Sequence, residues 1–144
     1  MKIYLDNCSF NRPFDDQHQI RIRIEAEAKL YIQSLIEQGK LDLVWSYILE
    51  YENSANPYEF RQIVIQKWKD KSKVQVDENK RIVKLAEELT NYDLKAKDAL
   101  HVACAIEAEC EYFITTDDKI LNKNNNIKSI EIVSPIDMLD ILEV

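Results

Sequence analysis

Residues 97–117 read KDALHVACAIEAECEYFITTD. Ala99, Val102, Ala103, Ile106 and Cys110 recur at helical spacing, and Asp98 opens that helix. Tyr112 to Thr115 is a short apolar run that reads as a buried strand and leads straight into Asp117-Asp118. A helix from Asp98 to about Glu109 travels about 18 Å at ~1.5 Å per residue. The strand after it returns about 13–16 Å at ~3.3 Å per residue. A crossover helix runs antiparallel to its strands, so Asp98 and Asp117 become neighbours although 19 positions separate them.

The rest of the chain repeats the alternation. Lys2 to Leu5 is a short buried strand ending in Asp6, and a polar loop stiffened by Pro13 runs from Ser9 to about Gln19. A helix is expected from Ile20 to Gln38, with Ile24, Ala28, Tyr31 and Leu35 on its apolar stripe. Gly39 then suits the left-handed position that ends a helix. Leu41, Leu43, Val44 and Trp45 form a second strand, and Ser46 caps a helix carrying Ile48, Leu49 and Glu50. Asn56-Pro57 restarts a helix with the stripe Phe60, Ile63, Val64 and Trp68. Asp77 caps another, with Ile82, Leu85, Ala86 and Leu89. Ile130 to Val133 is the last strand, and Ser134-Pro135 opens a final helix to about Leu142. Strands alternating with helices predict an α/β three-layer sandwich with a mostly parallel, short-stranded central sheet. The length predicts a single domain over residues 1–144.

Sites in open parallel sheets lie beyond the carboxyl ends of the strands. Connectivity puts Asp6, Glu50, Asp98 and Asp117 on that edge. Four carboxylates with no Lys or Arg among them repel one another unless a cation joins them or some are protonated. Hard divalent cations prefer oxygen ligands, and Mg2+ commonly takes one or two carboxylates plus water and substrate phosphate. The chemistry this suggests is metal-assisted phosphodiester hydrolysis.

Composition narrows the choice further. Average usage would give about ten glycines, and the chain has one. That excludes a P-loop, a dinucleotide fingerprint, a nucleophile elbow and an EF-hand loop. The net charge of −7 argues against a passive nucleic-acid binder, though not against an enzyme whose cations mediate the contact. The charge is uneven. Residues 61–84 hold eight basic side chains and three acids, a local +5 against −12 elsewhere. Arg61, Lys67, Lys69, Lys71 and Lys73 are therefore the candidate RNA contacts. Three cysteines without a Cys-x-x-Cys pair suggest a reducing, cytoplasmic setting. Asp6 interrupts any signal-peptide core, and no apolar run approaches membrane-spanning length.

Lys2-Ile3-Tyr4-Leu5-Asp6-Asn7 resembles the opening motif of PIN-domain nucleases. Lys97-Asp98-Ala99-Leu100-His101-Val102-Ala103 and Tyr112-Phe113-Ile114-Thr115-Thr116-Asp117 resemble the family's later acid motifs, and Ser46 with Glu50 its second. The family includes VapC-type toxins. The resemblance implies Mg2+ or Mn2+ as cofactor and single-stranded RNA as substrate. Asp6, Glu50, Asp98 and Asp117 would be catalytic acids and metal ligands. Asn7, Ser46, Thr115 and Thr116 would orient them by hydrogen bonds. Candidate protein partners are an antitoxin and a second copy of the chain. Asn7-Cys8 follows the first acid where many members carry Ser or Thr, which motivates the alternative of a catalytically silent module binding RNA or a protein. A phosphotransfer receiver would want a Lys at the end of its last strand, and that strand ends at Val133-Ser134-Pro135.

Overall fold

The computed structural model describes residues 1–142. Five parallel strands, β1 (Lys2–Leu5), β2 (Asp42–Ser46), β3 (Val74–Val76), β4 (Tyr112–Ile114) and β5 (Glu131–Val133), form one sheet in the order β3-β2-β1-β4-β5. Eight helices connect and follow them: α1 (Asn7–Asn11), α2 (Ile20–Glu37), α3 (Tyr47–Ser54), α4 (Glu59–Lys71), α5 (Lys80–Leu89), α6 (Ala96–Glu107), α7 (Asp118–Leu121) and α8 (Pro135–Ile141). β1 is the central strand. Its pairing of Tyr4 with Val44 on one side and Phe113 on the other aligns three buried side chains. The chain first builds outward through β2 and β3, then crosses back to β4 and β5. The order therefore reverses beside β1, which is where open α/β sheets form their clefts.

The pleat sends alternate side chains to opposite layers. Tyr4 stacks on Phe113 with centroids 5.3 Å apart and meets His101 of α6 edge-on. Trp45 meets Phe10 of α1 edge-on. Among the described residues no helix is long and apolar enough to cross a membrane.

Several sequence expectations shift. The polar loop after Asp6 is helical at first: α1 is followed by a 3-10 turn over Arg12–Phe14. β3 was not foreseen, because its alternation lasts only three residues among charges. Asn56 does not open α4 but takes the Tyr58 backbone N–H in a turn, and the helix starts at Glu59. The buried stripe differs as well. Ile65 and Trp68 are buried, while Phe60 and Ile63 face solvent. Asn79 rather than Asp77 caps α5, by accepting the Ile82 N–H. Gly39 behaves as expected, with φ of 73°. Its N–H reaches the Ile36 carbonyl and that of Lys40 reaches Leu35, the paired bonds of a Schellman ending.

The stripe of α2 also departs from expectation. Ile24 and Tyr31 are exposed, whereas Glu25 and Lys29 join Ala28, Ile32 and Leu35 inside. Glu25 is held by Arg12 at 3.4 Å and Arg21 at 3.5 Å. Lys29 has no such partner among the described residues. Its amine lies 5.1 Å from the Phe10 ring centroid and 5.8 Å from that of Trp68. Burial pushes it down to about 7. An unfolded lysine keeps its proton to about 10.4. The folded state thus binds fewer protons between those values, and stability rises with pH across that window. Lys29→Met should stabilise the fold by on the order of 3 kcal/mol at pH 6. The gain over wild type should shrink toward pH 10 in paired urea titrations, and a pH-independent difference would contradict this origin.

Candidate active site

Asp6 leaves the end of β1 and caps α1, so its position is set twice. Its Oδ1 accepts the Asn7 backbone N–H at 2.8 Å. Its Oδ2 accepts the Thr115 hydroxyl at 2.8 Å and the Cys8 thiol at 3.3 Å. The same Thr115 hydroxyl accepts the Asp117 backbone N–H at 3.1 Å, which fastens the end of β4 to the end of β1. Asp117 in turn caps α7 through Lys119 N–H. Cys8, half-buried between Asp6 and Thr115, is pushed up to about 12, first by desolvation and second by Asp6. Its thiol stays protonated and serves as a donor.

Asp98 sits in the first turn of α6, where an acid suits the helix dipole. Its carboxyl is nevertheless raised above the usual range, first by burial and then by the charges of Asp6 and Asp117. The long-range argument from helix and strand lengths thus places Asp98 and Asp117 within one electrostatic field.

Glu50 is elsewhere. It accepts Gln66 Nε2 at 2.5 Å and Trp45 Nε1 at 3.4 Å, and Lys69 lies at 3.0 Å. Burial alone would raise its carboxyl, but these donors hold it below the ordinary value. The acid from α3 that reaches the cluster is Glu52. It lies 2.6 Å from Nε2 of His101, whose Nε2 is also 3.9 Å from Asp6. Burial would depress His101, yet the hydrogen bond to Glu52 and the charges of Asp6, Glu52 and Asp98 raise it above its usual value. Nε2 of the ring hydrogen-bonds Glu52, and Nδ1 shares a hydrogen bond with the Tyr4 hydroxyl, 2.6 Å away. The Tyr4 hydroxyl shares another with Ser46 Oγ at 2.6 Å, and Ser46 also takes the Leu49 N–H as cap of α3. Sequence reasoning missed Glu52; His101, one turn after Asp98, is the polar neighbour of the acids that its spacing implies. The available signal was the inward stripe of α3: Glu52 follows Ile48 by four positions and Leu49 by three, whereas Glu50 is on neither spacing.

Of the orienting residues expected from the sequence, Thr115 contacts Asp6 directly, Asn7 reaches Glu52 through its side chain, and Ser46 acts through Tyr4 and His101. Thr116 Oγ1 is buried at this edge without a hydrogen-bond partner. The basic segment is mostly occupied by acids on neighbouring elements. Arg61 pairs with Asp15, Lys69 with Glu50 and Lys71 with Glu37. Lys67 and Lys73 are exposed. Arg61 is the one member of the five that lines a cavity shared with Glu52. Asp118, which carries no assignment from the sequence, makes a two-pronged bridge to Arg21 at 2.6 and 3.0 Å. That contact ties α7 to the start of α2.

No family model matches the sequence, and no curated protein matches it. Solved structures do. The fold superposes on a chain of VapBC-1 from nontypeable Haemophilus influenzae with a TM-score of 0.62, at 16% identity, covering 94% of this chain and 98% of that one. It also superposes on a chain of VapBC2 from Rickettsia felis, solved bound to a DNA fragment from its promoter, with a TM-score of 0.58. There the identity is 14%, and the coverage is 93% of this chain and 98% of that one. The near-complete coverage of both chains at these scores shows that this chain shares the fold of those VapBC chains.

Proposed function

We propose that this protein is a divalent-metal-dependent endoribonuclease acting on single-stranded RNA, the toxin member of a pair with an antitoxin protein. The observation that carries the reading is the placement of Asp6, Asp117 and Asp98 at the ends of β1 and β4 and in the first turn of α6, near enough that, after burial, the charges of Asp6 and Asp117 raise the Asp98 carboxyl. These acids share a field that a cation would relieve. The likeness in fold to chains of VapBC structures supports the toxin–antitoxin assignment.

The donors suit Mg2+ or Mn2+. They are hard oxygens from Asp6, Asp98, Asp117 and Glu52, with the unpartnered Thr116 hydroxyl beside them. No three His, Cys, Asp or Glu side chains among the described residues are gathered tightly enough to enclose an ion alone. Water and substrate oxygens would complete the shell, as is usual for Mg2+. When bound, the ion supplies an acidified water and offsets charge on the phosphate.

The protein's own contribution is fixed geometry. Thr115, Cys8 and the Asn7 N–H lock Asp6, so it need not reorganise when charge develops. His101 holds Glu52 from within the core. Its burial keeps bulk water from screening that interaction.

The test is cleavage of end-labelled single-stranded RNA in Mg2+, Mn2+ or EDTA. Cleavage is expected with either cation, absent in EDTA, and lost in Asp6→Asn. Equal cleavage in EDTA, or full activity in Asp6→Asn, would sink the proposal.

A further inference from the structure

Beside Glu52 lies a cavity of about 250 Å³ whose lining includes Asn7, Asn11, Asn56, Tyr58 and Arg61. Three of these side chains form a directed chain. The Tyr58 N–H donates to Asn56 Oδ1 at 3.0 Å, Asn56 Nδ2 to Asn11 Oδ1 at 3.2 Å, and Asn11 Nδ2 to Asn7 Oδ1 at 3.4 Å. Asn11 Nδ2 also donates to the Asn7 backbone carbonyl at 3.0 Å. The Asn56 and Asn11 amides thus point the same way, toward Asn7, whose side chain adjoins the Glu52 carboxylate and helps hold it below its usual range.

Each asparagine amide offers two donors and two acceptor lone pairs. The bonds among them leave part of that capacity free at the cavity wall. Tyr58 closes one side. Its ring is more than half exposed, and the Arg61 guanidinium sits 4.3 Å from its centroid. Asp15 and the Phe14 carbonyl pin that guanidinium in place. A fixed planar cation over one face of an exposed aromatic ring, next to amide donors and acceptors, is the chemistry that recognises an unpaired base. Bases in single-stranded RNA stack on Tyr or Arg and are read along their edges by hydrogen bonds. The volume falls just short of the usual range for drug-sized ligands, which suits one base and not a whole oligonucleotide.

We infer that the cavity between the end of α3 and the start of α4 is a nucleobase subsite. It receives the base neighbouring the cleaved phosphate and sets the protein's sequence preference. The inference rests on the nuclease reading for its position relative to cleavage. Asn56, Asn11 and Asn7 are positioning residues for Glu52 as well as readers of the base. A base that fits would complete the chain, and one that does not would disturb Glu52.

Two measurements test this. Binding of fluorescein-labelled A, C, G and U decamers to the metal-free protein in EDTA is followed by anisotropy. Cut positions on a randomised RNA are mapped in Mn2+. Tyr58→Ala should weaken binding and raise KM by roughly five- to a hundredfold, the worth of one base stacked on an aromatic ring, with kcat within about threefold. Tyr58→Phe should restore binding. Asn56→Ala should relax base preference at one position beside the cut. The side chains of Asn56 and Tyr58 lie at the surface, and unchanged circular dichroism would confirm that the variants fold. Unaltered affinity and preference in both alanine variants would overturn the subsite. If wild type cleaves RNA but the Ala variants keep its preference, the subsite fails and the nuclease reading stands. If decamers bind through Tyr58 but nothing is cut, the subsite stands and the nuclease reading fails.

Discussion

Asp98→Asn is expected to reduce RNA cleavage by about a thousandfold or more while leaving the protein folded. The substitution keeps shape and removes one charge from a shared cation site. Several kcal/mol of transition-state stabilisation then disappear, at about tenfold in rate per 1.4 kcal/mol. Stability should move the other way without metal. A carboxyl raised in the folded state binds more protons there than in the unfolded chain, so its ionisation opposes folding. That opposition is fully present above the folded-state pKa and vanishes in acid. The variant should therefore melt at or above the wild-type temperature in EDTA at pH 7.5, with no advantage near pH 3. Added Mn2+ should stabilise wild type and do much less for the variant. A variant that melts lower in EDTA, or that still cleaves, would contradict the account.

The second expectation is a contrast between two acids on one helix. Glu52→Gln should lower kcat by on the order of a hundredfold, the usual scale for removing a group that holds a metal site's shape. Glu50→Gln should change it by less than about twofold. Glu50 is engaged by Lys69, Gln66 and Trp45, and its pair with Lys69 is more than a third exposed on each side, so the stability cost should also stay under about 1 kcal/mol. The reverse ranking in single-turnover assays would restore Glu50 to the site.

These two acids also show how far the sequence could be read. Asp6, Asp98 and Asp117 follow from rules of length and connectivity: where a strand ends, how far a helix climbs, how far a strand returns. Such rules act between adjacent elements and need no knowledge of partners. The choice between Glu50 and Glu52 depends on His101, 49 residues downstream, and on Gln66 and Lys69 in the next helix. Spacing from Ser46 favoured Glu50, and the rotation of α3 favoured Glu52. The misplaced start of α4 has a similar origin. Asn56-Pro57 carries the signature of a helix cap, but Asn56 spends its side chain on a turn and on Asn11. Tertiary contacts thus redirected a strong local signal. Burial of Glu25 and Lys29 lay beyond any periodicity argument, since it takes Arg12, Arg21 and two aromatic rings to accommodate them.

The central place of β1 has a further consequence. It comes first of the five in chain order, yet its pairing with β4 joins Ile3 to Tyr112, 109 residues later. Contacts this far apart close late, because loop entropy opposes them until most of the sheet exists. Thr115, which clamps Asp6, belongs to that late segment. A nascent chain can assemble β1, β2 and β3 while its acids are still scattered. The cleft should come into being in one step, once β4 has been made, so a growing polypeptide that stops short of β4 would not hold its acids together.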